Sequence, residues 1–189
     1  MLTQVSALLF SCVLLWPGDL WSKADLQSSY EDSDAYEVYA AILPSEWTLR
    51  VAHAKRLVFT QETRPYEMCL RPAEGEQSLY ESAIADYISV NKTKWRLGNH
   101  FIIEQPYEIV SRDSLTSLAW KDFYRKYPES GGWIELSAVG FNPEKTVAVV
   151  YVGHHCGNLC AGGHFQVLLK KNGKWAPIEW KGIACAWAS

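Results

Sequence analysis

Apolar positions in this chain recur at two spacings, and the spacing changes about two thirds of the way along. Helix spacing comes first. Over 35–43, Val38, Ala41 and Ile42 recur with Tyr36 and Tyr39 between them, and Pro44 stops the pattern. It returns over 78–90 through Leu79, Ala83, Ile84, Tyr87 and Ile88, and over 114–124 through Leu115, Leu118, Trp120 and Phe123. Ser111 or Asp113 is placed to cap that last helix. Short β-type runs at 56–60, 101–103 and 107–110 interleave with the helices, Pro106 separating the last two.

Beyond residue 132 the period becomes that of a strand, with β-type runs over 133–141, 146–153, 164–171 and 174–180. Residues 147–152 are apolar on both faces and predict a central strand. Phe165, Val167 and Leu169 alternate with Gln166 and Lys170, as in a half-exposed neighbour. Asn172-Gly173 predicts a tight hairpin, because both residues tolerate positive φ. Helices followed by a meander predict an α+β fold, with helices packed on one face of a C-terminal antiparallel β-meander.

The N-terminus reads differently. The apolar run 5–16 is too short to span a bilayer but has the length of a signal h-region. Pro17-Gly18 breaks it, and Ser22-Lys23-Ala24 supplies small residues where a signal peptidase reads. Residues 1–24 are therefore expected to be a signal peptide cleaved after Ala24, although no Lys or Arg precedes Val5. Leu9-Phe10-Ser11-Cys12 loosely resembles a lipobox; the apolar run continues past Cys12, which makes lipidation the lesser alternative. The acidic stretch 25–34 (Glu31, Asp32, Asp34) predicts a flexible arm, and 35–189 a single α+β domain. No second apolar stretch reaches spanning length, so no membrane span is expected after cleavage.

Composition narrows the classes. Of 189 residues, 48% are hydrophobic and 21% charged, which suits a folded domain rather than a disordered chain. A net charge of −3 lacks the basic field of a dedicated nucleic-acid binder, so no nucleic-acid partner is expected. Nine Trp and ten Tyr suit either a core and rim of large rings or a face for stacking on sugars or a partner protein.

The C-terminal third carries Trp120-x-x-Phe123, Tyr127-Pro128-x-Ser130-Gly131 and Leu136-Ser137-x-Val139-Gly140-Phe141-Asn142. It continues through 148–152, Cys156-Gly157-x-Leu159-Cys160 and Gly173-Lys174-Trp175. In this pattern it resembles a group of exported bacterial proteins with no assigned activity, with Ala161 where the group often has glycine. The resemblance implies export and a shared fold, and supplies no mechanism.

Candidate chemistry concentrates in the loop 154–164, which holds His154, His155, Cys156, Cys160 and His164. Three readings stay open. Export favours disulfides among Cys69, Cys156, Cys160 and Cys185, for which three connectivities exist. A Cys156–Cys160 bond would close a tight loop, and Cys69–Cys185 would then tie the tail to the middle of the chain. A zinc site could draw on Cys156, Cys160, His164 and either His154 or His155, although the spacing matches no paired zinc knuckle. A Cys–His nucleophile is the third reading, without a nameable orienting group.

Elsewhere there is no Gly-x-Ser-x-Gly, His-Glu-x-x-His, phosphate-binding glycine loop or calcium loop. Glu135, beside Trp133 on a predicted strand, reads as a solvated edge residue, and Asn91-Lys92-Thr93 fits a glycosylation sequon. The expected function is a non-enzymatic secreted or periplasmic module binding a protein or cell-envelope ligand. The alternative is a metal-binding protein or hydrolase built on 154–164.

Overall fold

The computed structural model describes residues 28–43 and 54–189. The expected signal peptide, Cys12 and Pro44 lie outside the described residues. The α+β fold is present. Ten strands are described: β1 (Ser29–Tyr30), β2 (Leu57–Thr60), β3 (Arg96–Leu97), β4 (Tyr107–Val110), β5 (Trp133–Leu136), β6 (Gly140–Phe141), β7 (Val147–Gly157), β8 (Cys160–Lys171), β9 (Lys174–Pro177) and β10 (Ala186–Ala188). Four helices accompany them: α1 (Ser33–Ile42), α2 (Gln77–Val90), α3 (Arg112–Thr116) and α4 (Trp120–Lys126).

The main sheet runs in the order β10-β8-β7-β5-β2-β4, with β6 also on β7 and β9 on β8. Its C-terminal part is the antiparallel meander that the alternation predicts. The earlier strand β2 joins it parallel to β4 and β5, so the sheet is mixed at that end. Strand β7 is central, as an apolar run on both faces requires. Val147, Val149 and Tyr151 pack with Tyr80, Ala83 and Tyr87 of α2. Ala148, Val150 and Val152 face the other way and pack with Val38, Tyr39 and Ile42 of α1. Helices α3 and α4 share the α2 side through Leu115, Phe123 and Trp133. Three helices thus cover one face, and α1 covers the other.

Several local outcomes differ from the sequence pattern for identifiable reasons. Residues 28–34, read as part of a loose arm, are docked. Ser29 and Tyr30 pair with Arg96 and Leu97 of β3, and the buried Tyr30 hydroxyl accepts from the Val139 N–H. Asp32 caps α1 by accepting from the Asp34 N–H, while Asp34 meets Lys145 and Lys170 at 3.0 and 2.7 Å. In α2 the buried stripe is Tyr80, Ala83 and Tyr87, whereas Leu79 and Ile88 are about half exposed. The predicted helix 114–124 is two helices. The Thr116 and Ser117 hydroxyls bond back to carbonyls of Arg112 and Ser114, which favours ending the first before Trp120 starts the second. Ser111 caps α3 through the Ser114 N–H, and Asn172-Gly173 turns with φ of 51° and 75°.

No strand forms at 101–103; Phe101 instead stacks on Phe59 with ring centroids 4.4 Å apart. Asn91 of the sequon is half-buried, with its side-chain amide engaged. Its amide nitrogen donates to the Tyr87 and Ala138 carbonyls, and its oxygen accepts from the Ala138 N–H.

Candidate functional site

Strand alternation puts Trp133 and Glu135 on the α2 side of β5. The register with β7 sets them opposite His155 and Gly153. Glu135 is not an edge residue. It lies between β7 and β2, only 3% exposed. Three cationic or ionisable groups converge on its carboxylate. Oε1 accepts from Arg112 Nε at 3.0 Å, Oε2 lies 3.2 Å from Arg64 Nε, and His155 Nε2 lies 3.2 Å from Oε2. The His155 contact has ion-pair distance without hydrogen-bond alignment. Burial pushes the Glu135 carboxyl up, but His155, Arg112 and Arg64 outweigh it and leave the group below the usual carboxylate range.

Each arginine meets this carboxylate through its inner nitrogen. Their guanidinium ends stay open, the side chains being 50% (Arg64) and 39% (Arg112) exposed. Both line a cleft of about 370 Å³ together with Glu62, Thr63, Lys94, Ser111 and Asp113. The segment after β2 supplies Glu62 to Arg64, pinned by the Arg64 N–H donating to the Leu136 carbonyl. The cap and first residues of α3 supply Ser111 to Asp113.

Rings border the same face. Trp120 stacks on Trp133 at 4.6 Å, and Trp133 on His155 at 5.2 Å. Trp187 donates its indole N–H to the Tyr151 hydroxyl at 2.6 Å, and Tyr151 stacks on Tyr66 at 5.1 Å. A side chain at 163 would overlap the Tyr151 hydroxyl and crowd Trp187, so glycine there lets the two rings meet across β8.

Two disulfides frame this face, Cys69–Cys185 and Cys156–Cys160. The first joins the segment carrying Arg64 and Tyr66 to the tail carrying Trp187. Mutual backbone hydrogen bonds between Arg71 and Ile183 reinforce it. The second closes the β7–β8 tip, where the Tyr124 hydroxyl of α4 donates to the Cys156 carbonyl.

The segment 154–164 is thus mostly hairpin rather than loop, its turn reduced to Asn158 and Leu159. By register His154 and His164 share a face of the sheet, and His155 points to the other. His154 lies 2.8 Å from the Gly131 carbonyl, His155 faces Glu135 on the opposite side, and His164 sits on β8 beside Gln166 at 2.8 Å. With both sulfurs oxidised, Cys156 and Cys160 offer neither a thiolate ligand nor a nucleophile. Among the described residues no group of three or more His, Cys, Asp or Glu is placed to hold a metal ion.

His164 carries a pH signature instead. Its desolvated imidazole is pushed down to about 4, and its Nε2 faces the Gln166 amide nitrogen, which suits the neutral ring. The unfolded chain binds a proton near pH 6.5 and the folded chain only near 4, so the unfolded state holds more protons between them. Stability is full above about pH 6.5 and falls as pH drops toward 4. The loss is about 3 kcal/mol at most, and about 1–2 after allowing for partial exposure. Urea unfolding across this window should show the slope in the wild type and a flatter one in His164→Gln. An unchanged slope in the variant would count against His164 as its source. Glu135, with its lowered pKa, adds stability that is lost in a lower window, below its ordinary value of 4.5.

The residues that carry the sequence resemblance hold structure together. Ser137 Oγ accepts from the Tyr151 N–H, Ser130 Oγ donates to the Tyr127 carbonyl, and Asn142 Oδ1 accepts from the N–H groups of Thr146 and Val147. The cleft-lining Arg64 and Arg112 lie outside those motifs. A scan of protein-family models and searches of curated proteins and of solved structures each return no match to the chain.

Proposed function

We propose that this protein is a non-enzymatic binding module of a secreted or periplasmic compartment, and that its ligand site is the cleft in front of Glu135. One observation carries the reading. A buried carboxylate is committed to holding two arginines whose outer donors line an open cleft. Its lowered pKa keeps it ionised, which suits an anchor and not a general acid working near neutral pH. Two disulfides support an oxidising compartment. No helix among the described residues is long and apolar enough to cross a membrane. Tyr66, exposed, and Trp120 and Trp187, partly exposed, offer ring area on the same face as the charged cleft, a combination suited to a protein segment or a cell-envelope fragment.

The test is a thermal-shift screen of the oxidised protein against peptides, glycan fragments and lipid headgroups. At least one probe should give a saturable upshift that is lost in Arg64→Ala/Arg112→Ala and retained in Cys156→Ser/Cys160→Ser. A shift lost in the cysteine variant but kept in the arginine variant would move the site to the hairpin tip. Turnover of any probe would contradict the non-enzymatic reading.

A further inference from the structure

The charges lining the cleft are mixed. Arg64, Lys94 and Arg112 contribute three positive groups, while Glu62 and Asp113 contribute two negative ones. These groups do not neutralise one another. The side chains of Glu62, Lys94 and Asp113 make no hydrogen bond or ion pair among the described residues, and both arginines are turned by their inner nitrogens onto Glu135. Opposite charges that share a cleft without pairing are held apart by the backbone that carries them. Here the segment after β2 bears Glu62 and Arg64, the turn before β3 bears Lys94, and the start of α3 bears Arg112 and Asp113.

From this arrangement we infer that the cleft takes a small zwitterion, with a carboxylate on the arginines and an amine on Glu62 or Asp113. A free α-amino acid or a whole dipeptide has that chemistry. The inference rests on the binding reading above and names its ligand class. A bare anion suits the cleft less well. With Glu135 directly behind, the three positive groups face three carboxylates, so a multiply charged phosphate gains little net field and is repelled by Glu62 and Asp113. A carboxylate needs only the planar outer donors of the guanidinium ends. The volume, about 370 Å³, falls at the small end of ligand pockets, roughly 300–1,000 Å³.

The experiment is calorimetric titration of the oxidised protein with four probes. They are L-alanyl-L-alanine, its N-acetyl derivative lacking the amine, its C-terminal amide lacking the carboxylate, and inorganic phosphate. The dipeptide should bind saturably, and each of the others at least tenfold more weakly. Arg112→Ala should lose dipeptide binding. Glu62→Gln/Asp113→Asn, which leaves the Glu135 cluster intact, should bring the dipeptide and its N-acetyl form to similar affinity. Equal or tighter binding of the N-acetyl form or phosphate by the wild type would overturn the zwitterion while leaving the cleft as the site. Binding of none of the four would overturn it too. The binding reading itself fails separately, if the wider screen finds no ligand sensitive to Arg64→Ala/Arg112→Ala.

Discussion

Replacing Cys69 and Cys185 with serine is expected to lower the unfolding free energy by about 4–5 kcal/mol, several times the effect of an ordinary surface change. The bond closes a loop of sequence separation 116, and a crosslink restricts the unfolded chain in proportion to the logarithm of that length. Cys156–Cys160 closes a separation of only 4, for which the same relation gives about 2 kcal/mol. The structural consequences should differ as well. Without Cys69–Cys185, strand β10 keeps three paired residues on β8, and Trp187 can leave Tyr151. Denaturant unfolding of the two double variants, followed through tryptophan fluorescence, checks both points. Equal costs for the long and the short crosslink would contradict the loop-length argument.

Gly140→Ala is expected to cost about 3 kcal/mol, the upper part of the range for overpacking a filled interior. Strand β6 runs against α2 so closely that an added Cβ would overlap the Ala83 carbonyl and the Tyr87 backbone. Backbone cannot rotate aside as a flexible side chain can, so either the helix or the strand must shift. Such a shift would disturb the core that Ala83 and Tyr87 form with Val149 and Tyr151. Gly153→Ala is the natural control. A Cβ there would find Glu135 and Tyr151 atoms at 3.5 Å, which is ordinary contact, and its cost should stay below about 1 kcal/mol. Thermal denaturation of the two variants gives the comparison. Gly140→Ala as stable as Gly153→Ala would mean that β6 and α2 are not packed as described.

Much of the sheet was legible in the sequence because its signals are local. The two-faced apolar run of β7, the alternation in β8 and the Asn172-Gly173 turn each depend on neighbours a few residues apart. The site was not legible, because its parts come from separate elements. Glu135 is a single acidic residue in a short strand, and nothing beside it in sequence announces Arg64, Arg112 or His155. Only the β5–β7 register and the paths of the segments after β2 and β4 bring them onto one carboxylate. The hairpin misled in the opposite direction. Glycines and cysteines gave 154–164 the composition of a loop, yet its backbone pairs almost to the tip, with an irregularity between His155 and Gly157. Alternation along that strand sends His154 and His155 to opposite faces, so only one of them shares a face with His164, and the two cysteines of the set are joined to each other.

In the proposed site Glu135 organises Arg64 and Arg112 for a ligand. The decisive measurement follows the arginine Nε–Hε resonances of the ¹⁵N-labelled, oxidised protein during titration with L-alanyl-L-alanine. The Arg64 and Arg112 resonances should move together along one saturating curve, while the backbone amides of Gly157 to Cys160 stay in place. Movement of those hairpin amides with both arginine resonances unchanged would contradict the proposed site.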